Sequence, residues 1–416
     1  MQPRLPLFLY TILAVLAQLV GTTETVAHKP VTAKYTFNEH IRPIFQTYCG
    51  GCHAPGRIAP MSLLTYQEAY PWAESIKEVL LAESLHPWHV EEGVGAFTNG
   101  RWLTARELDM VIDWATGSAP EGSPSPTPAP VAGQEEWPSG PPDLVLTMAD
   151  SLSVGAETME KTRCIVLPTG LTTDRWVTGL DVRPGNPAIV HDAVIYTVAA
   201  GQGFAQGRGT EAECADGTAL PAEQIVGTWF PDQPPPSVPE DAAYRLPAGS
   251  PIILRIHYRK TWRYEGREMK DRSAVGLYFA KRPVEKRIRT AVIRQATTAP
   301  SDTLTAVHVL ESDAHLTSIL PQISVPGAII QATVVRPDGT TVWLVKVKSA
   351  DPAWPIRYDV TESVPLPRGS RIAITASVEQ PERLGPSRLA VWVGYTVDGE
   401  HLHGGGAKTV PQRRQR

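Results

Sequence analysis

Five consecutive residues, Cys49-Gly50-Gly51-Cys52-His53, constrain this chain more than any other stretch. Two cysteines separated by two residues, with a histidine directly after, is the spacing that attaches a c-type haem. Each thiol forms a thioether to a porphyrin vinyl group, and the adjoining imidazole becomes the proximal iron ligand. The competing readings are a zinc half-site and a disulfide. Zinc needs a second ligand pair close by, and the other two cysteines, Cys164 and Cys214, stand far downstream.

The surroundings of the motif are helical. Phe37, Ile41, Ile44 and Phe45 recur at helical spacing ahead of it. Residues 66–82 predict a second helix, with Tyr70, Ala73, Ile76, Val79 and Leu80 on one face. A third is predicted over 105–115, started by the capping box Thr104-Ala105-Arg106-Glu107. Residues 33–117 are therefore expected to form a small all-α monohaem cytochrome domain. A proline-rich stretch, 118–142, follows as a semi-rigid linker. Beyond it the texture changes to short alternating strands between Gly and Pro turns, in a chain with 39 prolines and 33 glycines. That texture predicts two all-β sandwich domains in series, 143–285 and 286–405, and a tail at 406–416.

The N-terminus predicts export. Arg4 precedes a mostly apolar run over residues 5–20, and Thr25-Val26-Ala27 offers the small residues a signal peptidase needs. Residues 1–27 are read as a cleaved signal, with an uncleaved anchor as the alternative; the run is short for a membrane span. The mature protein is expected to be periplasmic or otherwise extracytoplasmic, touching a membrane only through an uncleaved N-terminal segment. An oxidising compartment makes Cys164 and Cys214 the natural disulfide pair, two buried free thiols being the alternative. A net charge of −4 with mixed signs gives no electrostatic case for nucleic acid.

Residues 49–122 resemble bacterial monohaem cytochrome domains, which share a proline-containing loop after the haem motif, here Pro55-Gly56-Arg57-Ile58-Ala59-Pro60-Met61-Ser62-Leu63. Those domains carry a later Met-Pro-Pro-Trp loop whose methionine is the distal ligand. The corresponding stretch here is Leu85-His86-Pro87-Trp88-His89. Leu85 cannot bind iron, so the resemblance leaves His86 as the preferred distal ligand, Met61 as the alternative, and an open iron as a third state. His89 matches a family histidine that is not a ligand.

Four stretches of the β region resemble the copper type II, ascorbate-dependent monooxygenases, the superfamily of peptidylglycine α-hydroxylating and dopamine β-monooxygenases. They are the run from Arg183 to Tyr196, the Leu246-Pro247-Ala248-Gly249-Ser250 turn with Ile256-His257-Tyr258, Asp313-Ala314-His315-Leu316, and Gly394 to His401. The resemblance implies two copper sites facing across a cleft. His191 and His257 match the first, but Asp192 replaces the second histidine of its pair. His315 matches the second, but Asp313 replaces a histidine, and no methionine follows Met269; His401 stands near its place. Neighbours on a regular strand point to opposite faces, so His191 and Asp192 can share a metal only at a bulge. Asp313 and His315 share a face. Two histidines and a carboxylate suit Cu(II), Zn(II) or Fe(II), whereas reversible copper chemistry benefits from a soft thioether. His28, His40, His308 and His403 match no motif.

The expected function is an exported electron carrier with one haem, whose altered copper-type module docks it onto a redox partner or into a larger complex. The alternatives are a copper monooxygenase fed by its own haem, and an interaction subunit with a structural haem. The ligand substitutions at both copper positions favour the carrier. The distal ligand has an optical test: with His86 on the iron, the oxidised protein lacks the methionine–iron band near the red edge of the visible spectrum, and finding that band overturns the assignment.

Overall fold

The structure is a computed structural model, and it describes residues 33–82, 90–91, 93–100, 103–124, 137–198, 211–212, 224–296, 303–378 and 388–398. The predicted signal, the 83–89 loop with His86 and His89, Cys214 and His401 lie outside them.

The helical unit is built from short pieces. A π-helical turn, Phe37–Ile41, runs into α1, Arg42–Tyr48, whose Pro43 sits in the first turn, where its missing N–H costs nothing. The helix expected over 66–82 is divided in three. It comprises α2 at Tyr66–Ala69, a 3₁₀ turn at Tyr70–Trp72 and α3 at Ala73–Leu81. The break falls at Pro71, which cannot donate a backbone hydrogen bond. The last helix, α4 at Ala105–Thr116, starts at a complete capping box between Thr104 and Glu107. Phe37, Ile41, Phe45, Val111 and Trp114 form the buried centre, with Phe45 edge-on to Trp114 at 6.1 Å. The first residues of the proline-rich stretch close this unit: Phe37 donates to the Pro120 carbonyl at 2.9 Å, and the Trp114 indole donates to the same carbonyl at 3.1 Å.

The first sandwich comprises β1 Leu144–Thr147, β2 Leu152–Val154, β3 Glu160–Leu167, β4 Arg175–Arg183, β5 Val190–Thr197, β6 Glu211–Ala212, β7 Ile225–Trp229, β8 Ala242–Leu246, β9 Ile252–Arg259, β10 Met269–Asp271 and β11 Ala274–Phe279. The second comprises β12 Lys286–Ala296, β13 Thr303–Val309, β14 Ala314–Ile323, β15 Ala328–Val335, β16 Thr341–Ala350, β17 Tyr358–Leu366, β18 Arg371–Ser377 and β19 Arg388–Asp398. Two of the sheets, ordered β6-β3-β9-β5-β7 and β13-β18-β15-β16, belong to one sandwich each. A third, ordered β1-β11-β4-β8-β12-β19-β14-β17, runs through both. It is joined by a two-residue parallel pairing of Ala242 and Ala243 with Lys286 and Arg287.

Residues 193–196 of β5 and 252–254 of β9 are apolar on both faces because each face meets a core. Ala193, Ile195, Ile252, Leu254 and Ile256 face their own sandwich. Val194, Tyr196 and Ile253 face the other way and pack on Leu320, Ala390 and Trp392 of the second sandwich. The alternating pattern of a one-sided sheet gives way to near-continuous burial for this reason. The two sandwiches are locked together by an apolar interface.

Residues 90–100 depart from expectation. They leave the helical unit and bind the second sandwich. Val90 bridges Val347 of β16, and Phe97 bridges Val360 of β17. Glu91 donates to the Lys346 carbonyl at 2.9 Å, Thr98 to the Asp359 carbonyl at 2.8 Å, and Thr361 to the Ala96 carbonyl at 2.8 Å. Both β16 and β17 are last in their sheets, and the strap occupies backbone groups that a bare edge leaves unpaired.

A buried ion pair ties the strap to the first sandwich. Arg357 and Asp359 meet bidentately at 2.8 and 2.9 Å, with side chains 5% and 1% exposed. The same guanidinium donates to the carbonyls of Thr228 at 3.1 Å and Pro234 at 2.7 Å, both in the first sandwich. The backbone N–H of Asp359 donates to Asn99 Oδ1 of the strap at 3.0 Å. Removing one partner strands a buried charge, so Arg357→Leu is expected to lower unfolding free energy by about 3–5 kcal/mol. The double variant Arg357→Leu with Asp359→Leu is expected to recover much of that loss in urea titrations.

Candidate functional site

Two groupings of chemically capable side chains emerge, one in the helical unit and one between the sandwiches.

The first is the Cys49–His53 loop. Cys49 caps α1, its N–H donating to the Phe45 carbonyl at 2.9 Å, and the chain turns back so that His53 donates to the Cys49 carbonyl at 2.7 Å. Both cysteines are free thiols, half-buried, and Cys49 packs on the apolar centre of the helical unit. Burial pushes both thiols up to about 12, and the Asp232 carboxylate acts in the same direction. Thiols held protonated in this way are inert as nucleophiles. The ring nitrogen His53 Nδ1 lies 3.1 Å from the Met61 carbonyl oxygen. An imidazole that donates from Nδ1 to a carbonyl keeps its lone pair on Nε2, the tautomer a metal-ligating histidine needs. The Met61 side chain packs against the apolar centre of the helical unit.

The second grouping is His191, Asp192 and His257, whose ligand atoms lie within 4.8 Å of one another. Among the described residues it is the group of three side chains able to hold a metal ion. A bulge makes it possible: the β5–β9 register shifts between Val190 and Asp192. On a regular strand His191 would point away from Asp192; here both reach the same point. Asp192 Oδ2 accepts from His191 Nδ1 at 2.9 Å and from His257 Nδ1 at 2.8 Å. The tautomers follow from the acceptor, since an ionised carboxylate can only accept. Burial works against ionisation of Asp192, but the two histidine hydrogen bonds outweigh it and hold the carboxyl well below the usual carboxylate range.

The His191 ring is 2% exposed and lies under Trp354, ring centroids 4.5 Å apart, so the second sandwich roofs the site. Its Nε2 is buried without a hydrogen-bond partner. An orphaned buried acceptor costs about 1–3 kcal/mol, and a metal ion would satisfy it. Two imidazoles and one carboxylate are a donor set suited to Cu(II), Zn(II) or Fe(II), but both Nδ1–H groups are committed to Asp192 here, so holding one ion between all three would take breaking both hydrogen bonds.

The other carboxylate–histidine pair, Asp313 and His315, is not part of a three-ligand group among the described residues. Asp313 precedes β14, and its carboxylate accepts the Arg368 backbone N–H at 2.7 Å. His315 sits half-buried within β14, opposite Pro365 and Thr396. No third ligand among the described residues joins them, and His401 lies outside. Cys164 is disulfide-bonded.

Sequence reasoning missed Trp354, Arg357 and Asp232. Trp354 stands in Asp351-Pro352-Ala353-Trp354-Pro355, a turn-like run with no periodicity to suggest that it covers another domain.

Asp192→Asn is expected to lower the stability of the metal-free protein at neutral pH by about 1–3 kcal/mol. The sign with pH follows from the depressed carboxyl. Its contribution is full above the unfolded-state value near 4 and is lost as pH falls below it. Urea unfolding between pH 7 and 3 checks both points. A parent and variant with superimposable profiles would exclude the bonding described here.

No protein-family profile matches the chain, and no curated protein sequence matches it. Solved structures align at low similarity. Two crystal forms of PNGF-II give TM-scores of 0.27 and 0.30 at 8% and 10% identity, covering 60% and 62% of this chain. The alignments span 65% and 66% of the PNGF-II chains, just under two thirds of their length. The major capsid protein P2 from bacteriophage PM2 aligns at a TM-score of 0.28 and 9% identity, over 62% of this chain and 98% of that one. Similarity at this level assigns neither family nor activity.

Proposed function

We propose that this chain is an exported c-type cytochrome that carries electrons through one covalently attached haem at Cys49, Cys52 and His53. The observation that carries the reading is the His53 Nδ1 contact to the Met61 carbonyl at 3.1 Å, beside two free thiols set against an apolar centre. Cys49 and Cys52 would hold the porphyrin through thioether links, and His53 would be the proximal iron ligand. Bound haem supplies one-electron ferric–ferrous exchange. The protein's share is to hold the two sulfurs and to fix the tautomer of His53 through the Met61 carbonyl. The helical unit then corresponds to a small monohaem cytochrome domain, and His86 is the preferred distal ligand. The β module is the docking part, facing a redox protein or the rest of a larger complex, in the periplasm or another extracytoplasmic space.

A second reading, a copper-dependent monooxygenase fed by its own haem, draws on the orphaned His191 Nε2. Against it stand the lack of a third ligand beside Asp313 and His315 among the described residues and a carboxylate where a softer ligand serves copper best.

Protein exported from a host competent in haem attachment is expected to carry one haem per chain that survives acid extraction. Cys49→Ala with Cys52→Ala is expected to lose it. Metal analysis of the same sample separates the two readings. One iron and no copper accords with the carrier, and two coppers per chain favour the monooxygenase. Parent protein without covalent haem overturns both.

A further inference from the structure

We propose that Asp232, presented by the first sandwich, lowers the reduction potential of the haem at Cys49–His53 and fixes the attachment loop against the β module. The inference rests on the haem reading above. Gly51 lies between the two cysteines, and a Cβ built there would overlap the carboxylate of Asp232. The notch left by a missing side chain is thus filled by an acidic one from another domain. Only glycine at position 51 permits this approach.

The delivery of that carboxylate is fixed by the surrounding fold. Asp232 follows β7 in a turn and adopts a left-handed backbone, φ 60°. That conformation is uncommon for a residue with a side chain, though aspartate tolerates it. Gln233 donates to the Phe230 carbonyl at 3.3 Å and accepts the Arg357 N–H through Oε1 at 3.3 Å. The guanidinium of Arg357 grips the next carbonyl, Pro234, at 2.7 Å. Arg357 belongs to the second sandwich, so both sandwiches hold the turn that meets the haem loop.

Two charged side chains act on the loop among the described residues. The Asp232 carboxylate acts on Cys49 and Cys52, and the half-buried Arg57 guanidinium faces both Cys52 and Asp232. Reduction adds one electron to the haem iron, drawn from a one-electron donor, so the net charge at the site falls by one. An anion beside the site opposes that change, and a cation favours it. Asp232 is exposed to water, which screens its effect. The proposal therefore concerns a shift of potential rather than its whole value. In this role Asp232 positions the loop and supplies charge.

Spectroelectrochemical titration of the full-length haem protein tests this. Asp232→Asn keeps the shape and removes the charge; its midpoint is expected above that of the parent at equal haem content, the gap narrowing as salt is raised. Arg57→Gln is expected to move the midpoint downward. Gly51→Ala is expected to make the loop more open to protease, and Gly51→Ala with Asp232→Gly to restore protection while keeping the raised midpoint. A haem-loaded Asp232→Asn protein with the parent midpoint overturns the inference and leaves the haem reading standing, as does an Arg57→Gln midpoint that stays or rises. Parent protein without covalent haem removes the haem reading itself.

Discussion

The Arg357–Asp359 pair is the contact on which the rest of the assembly depends. A guanidinium taken out of water is tolerable only when nearly every donor has an acceptor. Here the acceptors come from several parts of the chain: Asp359 beside it, Thr228 and Pro234 from the first sandwich. The backbone around the pair binds the strap, with the Asp359 carbonyl accepting from Thr98 and its N–H donating to Asn99. Helical unit, first sandwich and second sandwich thus converge on one charge. Apolar burial between the sandwiches supplies adhesion, but it is non-directional. The ion pair contributes the directionality that sets how the turn after β7 meets the Cys49–His53 loop.

The same geometry explains why the two candidate sites lie where they do. Both belong to seams. The Cys49–His53 loop abuts the turn carrying Asp232, and the His191–Asp192–His257 group is covered by Trp354 from across the sandwich interface. Such seams recruit side chains from distant sequence positions and exclude water on several sides. A carboxylate between two histidines is held ionised there because its hydrogen bonds outweigh the cost of burial.

Much of the fold was legible in the sequence. Helical spacing around Phe37, Ile41 and Phe45 and the capping box at Thr104 led to real helices, and the alternating runs after residue 143 led to strands. Local signals sufficed there because local interactions decide those elements. Pro71 was the local signal overlooked in the long second helix. The strap was illegible. Val90 and Phe97 are two apolar residues in a Gly-rich run, and their partners are strand edges about 260 residues away. At the site, the residue types His191, Asp192 and His257 were readable, and so was the need for a bulge. Whether the bulge formed was not, because it depends on the register between β5 and β9. The placement of Asp313 turned on one backbone N–H of Arg368, for which no sequence pattern exists.

The strap also governs the order in which the protein can be completed. Synthesis delivers the helical unit first, yet the strap between α3 and α4 finds its partners only after Lys346 and Thr361 have been made. Closing so long a loop is slow relative to helix formation, because its entropy must be lost before any contact rewards it. The early chain therefore waits with its haem motif already present and its clamp still absent. During that interval the two cysteines lack the cover of the turn that carries Asp232. Cys49 and Cys52 are thus more accessible before the last strands arrive than once those strands dock.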